Sequence, residues 1–458
     1  MIDMDALTQY LELFRNNKEL VDNHSCEPMN KLRATALKVL EEKGLPVGGS
    51  ENYELTDLNN ILAPDFGLNL ARIEIDANPR ASFHCGVPSM SAIVRFQIND
   101  IFYPENPQQP KLPEGVIIDS LFNFYKKYPG EVESIYGWIA DIGNPLVALN
   151  SLLVQDGIVV WVRKGVKCEI PVQFVNILHN GMPLMAVRRL LICLEEDAEI
   201  KIVSCDHTQV ENTSFSILQT IEINVGRNSR LDFYELEESS IETSRLSSLY
   251  LHQEEGSEVV IDGITLYNGK TRNEYFCKFK GERARLNLSG LAIEDKDRLI
   301  DTYSCISHDL GYCVSEEMFK YVVDEKARGA FAGLIKVENG AVKTEAYQSN
   351  RNIVGSEDAR VFSKPQLEIY DDDVKCSHGC TVGQLDEKQI FYMQTRGIPE
   401  SEARFLLKQA FMADIVEKIS LPSLRDRLKS LIEKRFSGEV FNCSGCGYDC
   451  SDLKNNKS

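Results

Sequence analysis

The chain has 458 residues, 43% of them hydrophobic and 26% charged, which is the balance of a water-soluble globular protein with material for a large core. Its formal net charge of −19, with no run of Lys and Arg to override it, argues against a nucleic-acid or anionic-membrane surface. No stretch reaches the roughly 18 apolar residues of a membrane-spanning helix, and the length allows roughly two to four folding units.

The N-terminus, MIDMDALTQYLELF, carries acidic residues where a secretory leader is basic, and it lacks a continuous apolar run. A cytoplasmic protein is therefore expected. Residues 1–115 read as helix and loop. LRATALKVLEEK (32–43) is amphipathic, with Leu32, Ala36, Leu37 and Leu40 on one face, and Gly44-Leu45-Pro46 stops it. The polar loops VGGSENY and PENPQQPKLPEG follow, the second being the best candidate for a boundary.

Residues 116–384 are assigned to a β core. From about Leu152 to Val354 short β-rich runs are broken by polar turns, and one arrangement recurs: strand, acidic or Gly-containing turn, strand. MAVRRLLICLEEDAEIKIVSC, FSILQTIEINVGRNSRLDFYEL, RLSSLYLHQEEGSEVVIDGITLY, NEYFCKFKGERARLNLSGLAI and EMFKYVVDEKARGAFAGLIKV are its copies. Their turns centre near Asp197, Gly226, Gly256, Gly281 and Lys326, a step of roughly 25 to 30 residues until a longer insertion before the last. Coils that cannot bury an apolar face alone stack on their neighbours. The pattern predicts a mainly β fold with a parallel β-helix (β-solenoid) core, and a β-sandwich as second choice.

After Gly383 the chain turns helical. A short helix over 387–396 closes at Gly397, and Pro399 opens the next. Ala403, Leu406, Leu407, Ala410, Phe411 and Ile415 form one stripe, and Leu424, Leu428, Leu431 and Ile432 continue it beyond Leu421-Pro422. This helical domain is placed at 385–441, followed by a Cys-containing tail at 442–458.

The chain has thirteen cysteines. Cys26, Cys85, Cys168, Cys193, Cys205, Cys277, Cys305 and Cys313 are scattered and read as small buried hydrophobes. The others fall into two tight groups, which without signs of secretion point to reduced thiols and metal chemistry. In Cys376-Ser377-His378-Gly379-Cys380, residues 376, 378 and 380 share one face of an extended chain, and thiolate with imidazole suits zinc or iron–sulfur clusters. Cys443, Cys446 and Cys450 resemble half of a metal site whose remaining ligand must come from elsewhere; the alternative is a reactive tail. His308 and Cys313 read as local packing at a turn. Gly269-Lys270-Thr271 lacks the earlier glycine of a phosphate loop, since position 264 is Ile264. No GxSxG, HExxH or dinucleotide fingerprint occurs.

KPQLEIYDDDVKCSHGCTVGQ (364–384) and the run on to RGI resemble the hallmark segment of the SufD branch of the SufB/SufD family, which assembles iron–sulfur clusters. HDLGYCVSEEMFKYVV, ARGAFAGLIKVENGAVKTEAYQSNRNIV and, more loosely, RATALKVLEEKGLP with ENYELTDL are similar to the same family. The resemblance implies a right-handed parallel β-helix between helical terminal regions. It implies a complex with SufB and two copies of the ATPase SufC, with SufC docked on the C-terminal helices through Pro399, Phe405, Leu406 and Phe411. It places His378, with Cys376 and Cys380 beside it, at the SufB interface, where the histidine acts with a SufB cysteine in nascent cluster assembly. This chain has Cys380 where the family pattern has alanine, so it offers more thiolates than the family minimum. The chain is thus expected to be a scaffold and not an enzyme. No cofactor is expected to be tightly bound to the chain alone. A transient cluster or iron would sit at the SufB interface, ATP would be used by SufC, and a homodimer would form when SufB is missing. The alternatives are a SufB-type cluster-carrying scaffold and a β-helix enzyme acting on polysaccharides, for which the repeats offer no carboxylate-lined groove.

Overall fold

The computed structural model describes residues 6–73, 90–103, 110–209 and 212–438. It begins with α1 (Ala6–Asn23), α2 (Glu27–Lys43) and α3 (Leu58–Leu62). Helix α2 starts five residues before the expected point, with Pro28 in its first turn, and stops at Gly44, whose φ is +66° and whose N–H bonds back to the Leu40 carbonyl. Its buried face is Met29, Arg33, Ala36 and Leu40. Arg33 donates to the carbonyls of Leu152 (2.7 Å) and Val154 (2.8 Å), a cation set against a helix C-terminus.

Strands β1 (Ile93–Ile98), β2 (Ile101–Tyr103) and β3 (Val116–Ser120) follow. The β core expected from residue 116 then gives way to α4 (Leu121–Lys127), α5 (Pro129–Ile135) and α6 (Pro145–Leu153). The reason is local. Ser120 and Asn144 cap α4 and α6 through their side-chain oxygens, and Pro129 and Pro145 open α5 and α6.

From there the chain is a succession of strands: β4 (Ile158–Val162), β5 (Val172–Leu178), β6 (Leu184–Leu194), β7 (Glu199–Thr208), β8 (Phe215–Val225), β9 (Arg230–Glu238), β10 (Thr243–Gln253) and β11 (Glu258–Tyr267). It continues with β12 (Lys270–Phe279), β13 (Arg285–Glu294), β14 (Leu299–His308), β15 (Val314–Val323), β16 (Arg328–Val337), β17 (Glu345–Val354), β18 (Arg360–Ile369) and β19 (Lys375–Gly383). From β4 onward each strand pairs in parallel with the strand two places on, so the odd strands from β5, with β1 and β2, build a ten-stranded sheet and the even strands from β4, with β3, a nine-stranded one. This is a parallel β-solenoid of about eight turns, as the repeats predicted. The stretch read as an insertion is itself a coil, β14 and β15. It hid because β14, LIDTYSCISH, places Asp301, Tyr303, Cys305 and Ser307 on its outer face and Thr302 and Ser304 inside.

The three largest apolar cores among the described residues follow from this arrangement. One lies between the sheets, one lies under the N-terminal helices on the nine-stranded sheet, and one lies under the C-terminal helices on the ten-stranded sheet. Strand β6 is buried at every position because helices cover its outer face, which is why MAVRRLLICL reads as nearly continuous apolar sequence. Inside, small residues sit opposite large rings: a Cβ at Gly290 would lie 2.3 Å from the Phe319 ring, and one at Gly263 would lie 2.3 Å from the Tyr275 hydroxyl. The corners stack as well. Asp197, Asn228 and Gly256 all have positive φ, and Asn228 Nδ2 donates to Asp197 Oδ1 (3.2 Å).

The polar loop after α2 is pinned to the solenoid. The Tyr53 ring lies 4.3 Å from the buried Arg272 guanidinium, which pairs with Asp301 (2.7 Å), and Tyr53 donates to Glu274 (2.7 Å). At the far end come α7 (Glu387–Thr395), α8 (Glu400–Val416) and α9 (Pro422–Phe436). Gly397, at φ +86°, donates to Gln394 while Ile398 donates to Met393, the paired bonds that stop a helix at glycine. Leu424, Leu428, Leu431 and Ile432 are buried as expected; in α8 the buried residues are Ala403, Met412, Ile415 and Val416. No helix among the described residues is long and apolar enough to cross a membrane.

Candidate functional site

Strand β19 carries Cys376, His378 and Cys380 and pairs in register with β17: Ala346 beside Cys376, Gln348 beside His378, Asn350 beside Cys380. The three β17 residues are buried and face the space between the sheets. Register partners in a parallel pair point the same way, so Cys376, His378 and Cys380 also face inward, in the last coil, where no further coil among the described residues covers them. The expected common face is present. Cys376 packs against the inter-sheet core, whereas His378 and Cys380 are exposed. Burial pushes the Cys376 thiol up, opposed by a hydrogen bond from the Ala346 backbone.

Alternate residues on a strand stand about 7 Å apart, so the row can offer two adjacent ligands to one iron or one edge of a cluster. Among the described residues no three His, Cys, Asp or Glu side chains gather into a complete ion site. The row is three side chains on one face, two of them exposed. Cys443, Cys446 and Cys450, like Cys85, lie outside the described residues.

Behind the row the interior turns polar. Gln348 Nε2 donates to Glu317 Oε2 (2.7 Å), and burial pushes the Glu317 carboxyl up to about 7. Sequence reading missed both residues. The signal was there in the period of two combined with the coil step: counting back one coil from His378 lands on Gln348, and a second coil back lands on Glu317. His308 and Cys313 are packing residues, as read: His308 stacks on Phe279 (4.4 Å), its Nε2 lies 2.9 Å from the Ser315 hydroxyl, and the Cys313 thiol donates to the Gly281 carbonyl. On the outer face of the ten-stranded sheet, a cleft of about 380 Å³ runs past Ser289, Glu316, Tyr347 and Ser377, with Lys418 at its rim.

On the C-terminal helices, Pro399 is the exposed N-cap of α8, and Phe405 and Leu406 are half-buried. Leu406 lines a groove of about 340 Å³ between α8 and α9, with Ala410, Ala413, Val416 and Ile432. Phe411 turns the other way. It packs against the solenoid, with Lys320 Nζ 4.6 Å from its ring and donating to its carbonyl (2.7 Å).

The buried carboxyls set a pH dependence. Burial raises Glu317 and Asp262 to about 7 and Glu294 to about 8, so above the ordinary carboxylate range the folded chain binds more protons than the unfolded one. Stability therefore falls as pH rises through that window. Buried His308 and His207, held down to about 3, act in the opposite sense but only below the ordinary value of 6.5. Thermal melts should thus show a falling midpoint from about pH 6.5 to 8, and Glu317→Gln should flatten that slope. A midpoint that rises over this range would contradict neutral buried carboxyls.

Comparison with known proteins agrees with this geometry. The family model described as SUF system FeS cluster assembly, SufBD core domain, matches residues 177–411, and the SufBD protein N-terminal region matches residues 4–174. The chain is similar to an iron-sulfur cluster assembly SufBD family protein of Synechocystis, 27% identical over 448 residues, which are 94% of this chain and 98% of that one. It is 25% identical to the iron-sulfur cluster assembly protein SufD of Bacillus subtilis over 422 residues, 89% and 94% of the two chains. With SufD of Escherichia coli it shares 38% identity over 167 residues, 36% of this chain and 40% of the relative. The solenoid, its helical ends and these matches together show that the chain belongs to the SufBD family of iron–sulfur cluster assembly proteins and is SufD-like.

Proposed function

We propose that the chain is a non-catalytic scaffold of the SUF complex, pairing with SufB through its open last coil and docking the ATPase SufC on α8 and α9. The last coil carries this reading. Strands β18 and β19 end their sheets, so each offers a row of backbone N–H and C=O groups for another chain to pair with. Phe362, Ile369, Tyr370 and Val382 are exposed around them. An apolar sheet end of this kind supports a protein interface. A partner that continues the sheets lands on Cys376, His378 and Cys380 and supplies the remaining ligands. Iron and sulfide are then cargo, joined in a transient cluster, and the chain alone holds no cluster tightly. Without SufB the same edges suit a second copy of this chain. ATP is bound and used by SufC in the cytoplasm, and the groove beside Leu406 is the seat offered to it.

The test is co-production with SufB and SufC, anaerobic purification through a tag on this chain, and iron and sulfide analysis. Both partners should co-purify. Phe362→Lys with Val382→Lys should release SufB, and Leu406→Glu should release SufC alone. If SufB stays bound to the doubly charged variant, the last coil is not the interface.

A further inference from the structure

Glu317, Gln348 and His378 are consecutive rungs on the inner face of the ten-stranded sheet. Glu317 is 2% exposed and Gln348 3%, in a core otherwise filled by residues such as Ile335, Val337 and Phe331. The amide nitrogen of Gln348 faces the carboxyl, donating to Glu317 Oε2 at 2.7 Å. That bond directs the other end of the amide, Oε1, away from Glu317, and among the described residues this buried oxygen has no hydrogen-bond partner. The room for the amide is provided across the core. A Cβ at Gly333 would lie 2.4 Å from Gln348 Nε2, so the glycine on β16 leaves the space that the amide occupies. The next rung outward is His378, about 4.8 Å away at the ordinary strand spacing and on the same face.

We propose that Glu317, acting through Gln348, is a positioning residue that fixes the tautomer and ring orientation of His378. Glu317 orients the amide, Gln348 Oε1 accepts the N–H of one imidazole nitrogen, and the lone pair of the other nitrogen is left facing the open end. A histidine that meets a metal or sulfur atom with one nitrogen is commonly held this way through the other. The proposal rests on reading His378 as the group that meets the cargo, and it adds the two residues behind it.

The experiment uses the full chain labelled with 15N at its histidines. Long-range nitrogen–proton correlation spectra at pH 7.5 report the tautomer of each ring, and His378→Gln assigns the signal. Wild type should show His378 in one tautomer. Gln348→Met should move its two nitrogen shifts toward the mixture of a free imidazole, and Glu317→Gln should move them part of the way, with the signals of the buried His207 and His308 unmoved. Identical His378 signals in wild type and both variants would overturn the proposal. Should Gln348→Met not fold, Glu317→Gln keeps size and shape and carries the same reading. The spectra read the ring and not cluster formation, so a failure of the SufB-interface reading and a failure of this one leave different marks.

Discussion

Replacing His378 by alanine should lower cluster formation by the assembled SUF complex about tenfold or more, the usual scale for losing a metal-facing ligand or its support. The complex itself should still form. His378 is exposed, and its strand is held by backbone pairing to β17. Removing it should cost no more than about 1–3 kcal/mol, the cost of leaving the buried Gln348 oxygen without its partner. Loss of clusters with retained SufB and SufC would therefore be a chemical effect and not an unfolding one. Cys380→Ser is the matched control for the added thiolate, since it is also exposed, whereas Cys376→Ser disturbs a side chain that packs on the core. Iron and sulfide on the anaerobically purified complex decide the matter. Clusters formed at the wild-type level by the alanine variant would remove His378 from the site.

The solenoid was legible because its outer coils repeat an apolar–turn–apolar pattern, and the C-terminal helices because Gly397, Pro399 and Pro422 punctuate them. The common face of Cys376, His378 and Cys380 followed from alternation alone. What stayed hidden depends on what covers each face. Strand β14 escaped because its outer residues meet solvent or the Tyr53 loop, so it carries few apolar markers. Helices α4 to α6 escaped because they are short, and α6 is buried almost all round, leaving no polar face to reveal its period. Phe411 belonged to the expected apolar stripe, but periodicity does not say whether a stripe residue meets its own solenoid or a partner. The inner residues Glu317 and Gln348 look like ordinary polar positions until the register places them behind His378.

Arg188 and Arg189 stand side by side in the apolar strand β6 and point to opposite faces. Arg188 reaches inward to Asp206 (2.7 Å). Arg189 reaches outward beneath the N-terminal helices, where its Nε donates to Glu222 (3.1 Å) and Tyr136 lies 4.8 Å from the guanidinium. Neither member of that outer pair is exposed. Glu222 also accepts the backbone N–H groups of Gly137 (3.1 Å) and Ala140 (3.0 Å), so one carboxylate fixes both the arginine and the loop between α5 and α6. Arg189→Met keeps most of the side-chain volume but leaves Glu222 charged and buried without its cation. Breaking a buried pair from one side costs about 3–5 kcal/mol, the largest stability effect expected of a single substitution here. The loop at 137–140 should loosen first, because its N–H groups hang on the same carboxylate, and limited proteolysis should cut there before the solenoid opens. Arg189→Met with Glu222→Gln removes the stranded charge and should recover part of the loss, a coupling of at least about 1 kcal/mol in a double-mutant cycle. A single variant that melts within about 1 kcal/mol of wild type, or a cycle with no coupling, would mean that the pair only fills space. The N-terminal helices would then be held to the solenoid by their apolar faces alone.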